Sequence, residues 1–167
     1  MNKHLKIEPF QETLNAGMCG PASLKIVFDY FGINKNEKEL AKLAGTTKSL
    51  GTNVDGLILA AKRSGFKISV KNNSSFVDIE KWLAKGVPPI IDWFTRGRQD
   101  YSESDVADGH YSVVCGIDKK FIYLQDPEIG NIRKIEKDDF KRVWFDFAGE
   151  YIKSGELIIR QIIAIYK

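Results

Sequence analysis

The spacing of apolar residues changes once along this chain, and that change limits what it can fold into. Before Pro88 they recur mostly three or four positions apart, the interval of a buried helical stripe. From Ile90 onward they recur mostly at every second position, the interval of a half-buried strand. Leu24, Val27, Phe28 and Phe31 make the first stripe. Pro21, read as its first helical residue, opens it and Gly32 closes it, which puts Cys19 at the positive end of a helix about three turns long. Asn34 or Asn36 caps a second helix through Leu40 and Leu43 that stops at Gly45. A third runs from Asn53 to Ser64, with Val54, Leu57, Ile58 and Ala61 on one face and Gly65 behind it. Phe66 to Val70 alternates as a strand, and Ser75 caps a further helix through Ile79, Trp82 and Leu83 that Gly86 ends.

Beyond that point Ile90 to Phe94, His110 to Ile117, Phe121 to Gln125 and Asn131 to Ile135 read as strands, separated by Gly, Pro and Asp clusters. Asp138 to Val143 reads as a short helix, and the Ile-rich Gln161 to Tyr166 as a closing strand or the continuation of a helix from Gly155. At the other end, Leu5 to Phe10 is a short strand-like entry leading into a polar turn over Gln11 to Gly17. Helices ahead of antiparallel strands mean an α+β fold, and the length suits a single domain over 1–167.

The charge balance, 25 basic against 22 acidic residues for a net +3, is spread along the chain and argues against nucleic acid as a partner. No run approaches the roughly 20 apolar residues of a membrane span. Lys3, His4, Lys6 and Glu8 stand where a signal peptide would be apolar, so the chain reads as cytoplasmic. Two cysteines cannot make a disulfide framework, and with one embedded histidine they make a poor zinc site. No cofactor is expected.

His4 lies near an end expected to fray, which leaves His110 as the histidine inside the folded text. It opens a strand that turns at Asp118-Lys119-Lys120 into the next. A hairpin centred on Asp118 sets Val114 opposite Ile122, Ser112 opposite Leu124 and His110 opposite Asp126, so a carboxylate holds the imidazole. Asp108, in the polar loop of about 15 residues from Thr95 to Gly109, ranks second. The loop's acids, Asp100, Glu103, Asp105 and Asp108, read as solvated. A carboxylate-held imidazole can take a proton from a thiol and stay paired with the thiolate, and Cys19 at a helix start is the thiol placed for it. From residue types alone, a buried structural histidine and an inert cysteine remain open. Cys115 alternates with Val113 and Ile117 and reads as a small core residue. Trp82, Trp93 and Tyr111 fit core or groove rim equally.

Gly17-Met18-Cys19-Gly20-Pro21-Ala22-Ser23-Leu24, followed by Phe28, Tyr30 and Gly32, resembles the nucleophile helix of the bacteriocin-processing, double-glycine-leader cysteine peptidases, family 39 of the cysteine peptidases. Asp108-Gly109-His110-Tyr111-Ser112-Val113-Val114-Cys115-Gly116-Ile117-Asp118, then Asp126-Pro127 and Gly130, is similar to that family's histidine strand and Asp-Pro turn, and Phe140 and Trp144 fit its ending. The likeness spans 11–144. It implies a papain-like fold, N-terminal helices packed against a C-terminal antiparallel sheet, with Cys19 as nucleophile, His110 as general base and Asp126 as orienter. The family's oxyanion glutamine commonly stands about six residues before the nucleophile. Here Thr13 holds that position and Gln11 stands two further back, where a bulge over Thr13 to Gly17 could restore it. The implied activity is a thiol peptidase or amidase acting on a peptide or protein through an acyl-enzyme. An acyltransferase passing the acyl group to an amine or thiol, and a peptide-binding module with a residual triad, are the competing readings. The chain has no Gly-Lys-Ser or Gly-Lys-Thr phosphate loop of the kind the exporters carrying this domain use, so it is expected to act alone or with separately encoded partners.

Overall fold

The computed structural model describes residues 3–95, 109–147, 153 and 155–167. The elements run β1 (Lys3–His4), α1 (Cys19–Tyr30), α2 (Glu37–Ala44), α3 (Val54–Arg63), β2 (Lys67–Lys71), α4 (Phe76–Ala84), β3 (Ile90–Phe94), β4 (Gly109–Ile117), β5 (Phe121–Asp126), β6 (Asn131–Glu136), α5 (Lys137–Val143), β7 (Phe145–Phe147), β8 (Leu157–Ile159) and β9 (Ile162–Tyr166). The helix starts follow the capping chemistry. Asn36 Oδ1 accepts from the Glu39 N–H at 2.8 Å, Asn53 Oδ1 from Gly56 at 2.8 Å, and Ser75 forms a capping box with Asp78.

One antiparallel sheet in the order β2-β9-β3-β4-β5-β6 organises the molecule, and β1 continues the β3 edge along the far end of β4. Its centre is buried on both faces. Tyr111, Val113, Ile90 and Ile163 pack under Leu24, Phe28 and Leu57 of the first helices, while Ile91, Val114 and Leu124 pack with Leu83, Phe140 and Trp144. This is the α+β papain-like architecture, helices against a large antiparallel sheet. Among the described residues no helix is long and apolar enough to cross a membrane.

Several expectations need correction. The entry strand is Lys3–His4 rather than Leu5 to Phe10, and His4 is held there, its ring against Gly116 and edge-on to Tyr123 at 4.5 Å. Pro21 is the third residue of α1, not the first, because the N-cap is Met18. The segment from Gly155 does not continue as a helix. It supplies β8, pairing with β7 in a small second sheet, and then β9, which enters the main sheet between β2 and β3. Neither β7 nor β8 is legible as a strand at three residues each.

The β4–β5 hairpin departs from the expected register in a way that matters. Near the turn Ile117 faces Ile122 and Gly116 faces Tyr123, but past Cys115 the pairs are Val114 with Leu124 and Val113 with Gln125. Cys115 is therefore an extra residue on β4, a bulge. Were Cys115 instead paired with Leu124 in an unbroken ladder, Val113 would face Asp126, and His110 would emerge on the opposite side of the sheet from that carboxylate. With the bulge, continuing the register sets Ser112 opposite Asp126, and His110, two residues further on, shares its face. The pairing is diagonal rather than direct, within reach of an imidazole.

Candidate functional site

Cys19 is the first residue of α1, and that helix start carries neither a side-chain cap nor an acidic residue in its first turn. Its leading N–H groups and the positive end of its dipole are thus left for the site. The approach loop turns tightly, with Asn15 at φ 58° and Gly17 at φ 67°. A Cβ on Gly17 would also stand 2.7 Å from the Thr47 carbonyl oxygen, so only glycine fits there. Upstream, Thr13 donates through its backbone N–H and its hydroxyl to the two oxygens of Glu37, at 2.9 and 2.6 Å, fixing the loop to α2.

His110 is the second residue of β4, directly opposite Trp93 of β3, whose indole meets it edge-on at 5.9 Å. The ring is 4% exposed. Its Nε2 lies 2.6 Å from Asp126 Oδ1, and it hydrogen-bonds the Cys19 thiol. With Nε2 given to Asp126, the nitrogen facing the thiol is Nδ1. Asp126, fully buried at the end of β5, is itself enclosed by donors: the Glu128 N–H reaches Oδ1 at 3.1 Å and Arg133 Nε reaches Oδ2 at 2.7 Å. Burial alone would push the Asp126 carboxyl up. His110, then Arg133, more than offset it, and the carboxyl lies at about 2. Burial likewise works against a charged His110, yet Asp126 and then Cys19 hold its pKa well above the ordinary histidine value. The arrangement is a thiol, an imidazole and a permanent carboxylate in a line, able to move one proton from sulfur to ring.

Cys19, His110 and Asp126 are thus brought together. Gln11 Nε2 donates to the Glu128 carbonyl at 3.1 Å. Asp108 and most of the polar loop lie outside the described residues. Cys115 is buried with its sulfur on the Tyr123 carbonyl at 3.3 Å, and burial pushes its thiol up to about 11, the state of an inert core cysteine. Trp93 is core, its Nε1 donating to Ser112 at 3.0 Å, and Tyr111 is buried.

Sequence reasoning missed five participants: Arg133, Glu128, Glu12, Asp92 and Asp146. Glu12 is pushed up to about 7, by burial first, with His110 opposing and Asp126, Glu128 and Glu37 adding to it. Asp92 interrupts the apolar run Ile90 to Phe94, and that interruption was the available signal. His110, Asp126 and Glu128 bring ligand-type atoms within 4.8 Å of one another. However, the Asp126 oxygens are already committed to the ring, a backbone N–H and Arg133, so the cluster fits a hydrogen-bonded triad better than a metal cage.

The chain is similar to several known proteins. The chain is 37% identical to an uncharacterised protein of Methanothermobacter marburgensis over 127 residues, 75% of each chain. It is 30% identical over 128 residues to the transport/processing ATP-binding protein ComA of Streptococcus pneumoniae, covering 75% of this chain but 16% of that much longer one. Among solved structures, the peptidase domain of Streptococcus ComA superposes with a TM-score of 0.68 at 24% identity, covering 98% of both chains. A double-glycine-motif protease from an AMS/PCAT transporter, solved with its leader peptide, gives 0.69 at 19% identity over 99% of this chain and 97% of its own. Residues 9–149 match the family of cysteine peptidases described as peptidase C39, and the chain belongs to that family.

Proposed function

We propose that this chain is a cysteine peptidase that hydrolyses a peptide or amide bond, with Cys19 as nucleophile, His110 as the base that becomes the acid, and Asp126 as the group that orients the ring. The observation that carries this reading is the continuous chain from the Cys19 thiol through His110 to Asp126, 2.6 Å from the ring.

His110 Nδ1 takes the thiol proton, and the sulfur adds to the carbonyl carbon. The electron pair moves to oxygen, where the N–H groups at the start of α1 stabilise it. As the C–N bond breaks, the imidazolium returns its proton to the departing amine, leaving a thioester on Cys19. Water, deprotonated by the same ring, then releases the acid and restores the thiol. Asp126 keeps its charge throughout and holds the ring's tautomer. Gln11 joins the oxyanion site by leaving the Glu128 carbonyl for the reacting oxygen, and its removal should then cost roughly 10²- to 10³-fold in kcat. Family membership supports a peptide substrate, and the relative solved with a leader peptide supports a leader segment as its class. Residues 11–144 would carry the catalytic core of one domain.

The test is alkylation by iodoacetamide followed by mass spectrometry, with peptide hydrolysis assayed in parallel. Labelling concentrated on Cys19 in the wild type, lost in His110→Ala, with free acid as product, is the expected result. Equal labelling in both proteins would overturn the reading, and a new amide formed with added amine would identify an acyltransferase instead.

A further inference from the structure

Two acids that the mechanism does not use stand beside the nucleophile. Asp92 projects from the middle of β3, opposite Tyr111, and is 2% exposed. Its carboxyl meets that of Asp146 from β7, and its buried Oδ1 accepts from no donor among the described residues. The Asp146 carboxylate in turn rests on the Cα of Gly109, the residue before His110, where a Cβ would collide with it. Two carboxylates cannot hydrogen-bond without a proton between them. A buried carboxylate with one bare oxygen would be costly if charged, so the proton belongs on Asp92 and the charge on Asp146.

We propose that Asp92 and Asp146 share one proton and stand beside Cys19 and His110 as a single fixed negative charge that sets the pH window of their reactive pair. The two acids are positioning residues: they act through the thiol and the ring and touch no reacting atom. The groups facing Asp92 are Asp146, Cys19, His110 and the Tyr111 hydroxyl, whose own ionisation is pushed well above the usual range, by burial first and then by Asp92, Cys19 and Asp146. Glu12 interacts electrostatically with His110 and Asp126. A negative neighbour disfavours the thiolate and favours the imidazolium, so both limbs of a bell-shaped profile move to higher pH together. Removing the charge moves both down.

This inference rests on the proposed thiolate chemistry, and the pH dependence of Cys19 alkylation and of peptide hydrolysis separates the two. Replacing one acid by asparagine, as Asp92→Asn or Asp146→Asn, retains one charge and one donor, so both limbs should keep their wild-type positions. The neutral pair Asp92→Asn with Asp146→Asn should shift both limbs down by on the order of one pH unit. Infrared spectroscopy should find an un-ionised buried carboxyl at pH 8 in the wild type that either single substitution removes. Overturning results are a single substitution that moves the limbs, a carboxyl band that survives in the single variants, or a neutral pair with unchanged limbs. If the neutral pair does not fold, Asp92→Thr with Asp146→Asn replaces it, and failure of both assigns the acids to stability and overturns the proposal. A wild-type profile without an acid limb, unaltered by His110→Ala, sinks the thiolate reading itself and is distinguishable from all of these.

Discussion

Asp126 is where stability and chemistry meet at the scale of one residue. Its folded carboxyl lies at about 2 against an ordinary 3.8, so the stabilisation it contributes is present above the ordinary value and is lost as pH falls from about 4 toward 2. Acid unfolding followed by circular dichroism should show a transition in that window, moved to higher pH in Arg133→Met. That substitution leaves Oδ2 of a buried carboxylate without its guanidinium and should cost about 3 kcal/mol in denaturant unfolding. Asp126→Asn should lower kcat/KM by at least about tenfold, because an amide offers the ring no fixed charge. Gly109→Ala should drive the Asp146 carboxylate off its seat and reduce kcat with little change in melting temperature. Cys19, His110 and Asp126 were legible because each stands in a motif whose residue types state the chemistry. Arg133 was not: Ile132 and Ile135 sit at opposite phases of β6, so alternation could not say which face was inward, and the structure buries Arg133 with Ile135 while Ile132 is exposed.

Among the elements, the β4–β5 hairpin decides whether the site exists. The sequence named its two strands and its turn, where Asp118 Oδ1 accepts from Lys120 and Phe121 at 2.7 Å each. It could not reveal the bulge, since Cys115 reads as one more alternating apolar residue and nothing local marks it as supernumerary. The expected and actual registers near His110 differ by two positions, an even number, so the expected face was right although the expected partner was not. Cys115→Ala should keep both the bulge and the activity, at a cost of about 1 kcal/mol in unfolding.

For the molecule as a whole, the sheet is closed by β9, whose Ile162, Ile163, Ala164 and Ile165 are buried between β2 and β3. The fold class followed from the single change of periodicity. The place of β9 did not, because an Ile-rich segment announces burial without saying which strands it will lie between. Removing 161–167 should separate β2 from the rest of the sheet and leave a protein without a cooperative thermal transition, read by calorimetry. The position of β9 also imposes an order of events. A chain leaving the ribosome presents Cys19, then His110, then Asp126, while the gap between β2 and β3 stays empty until residues past Arg160 emerge. If the proposed roles of these three residues hold, translation delivers the chemistry before the frame around it is closed, and a half-made polypeptide should lack the means to cut its neighbours.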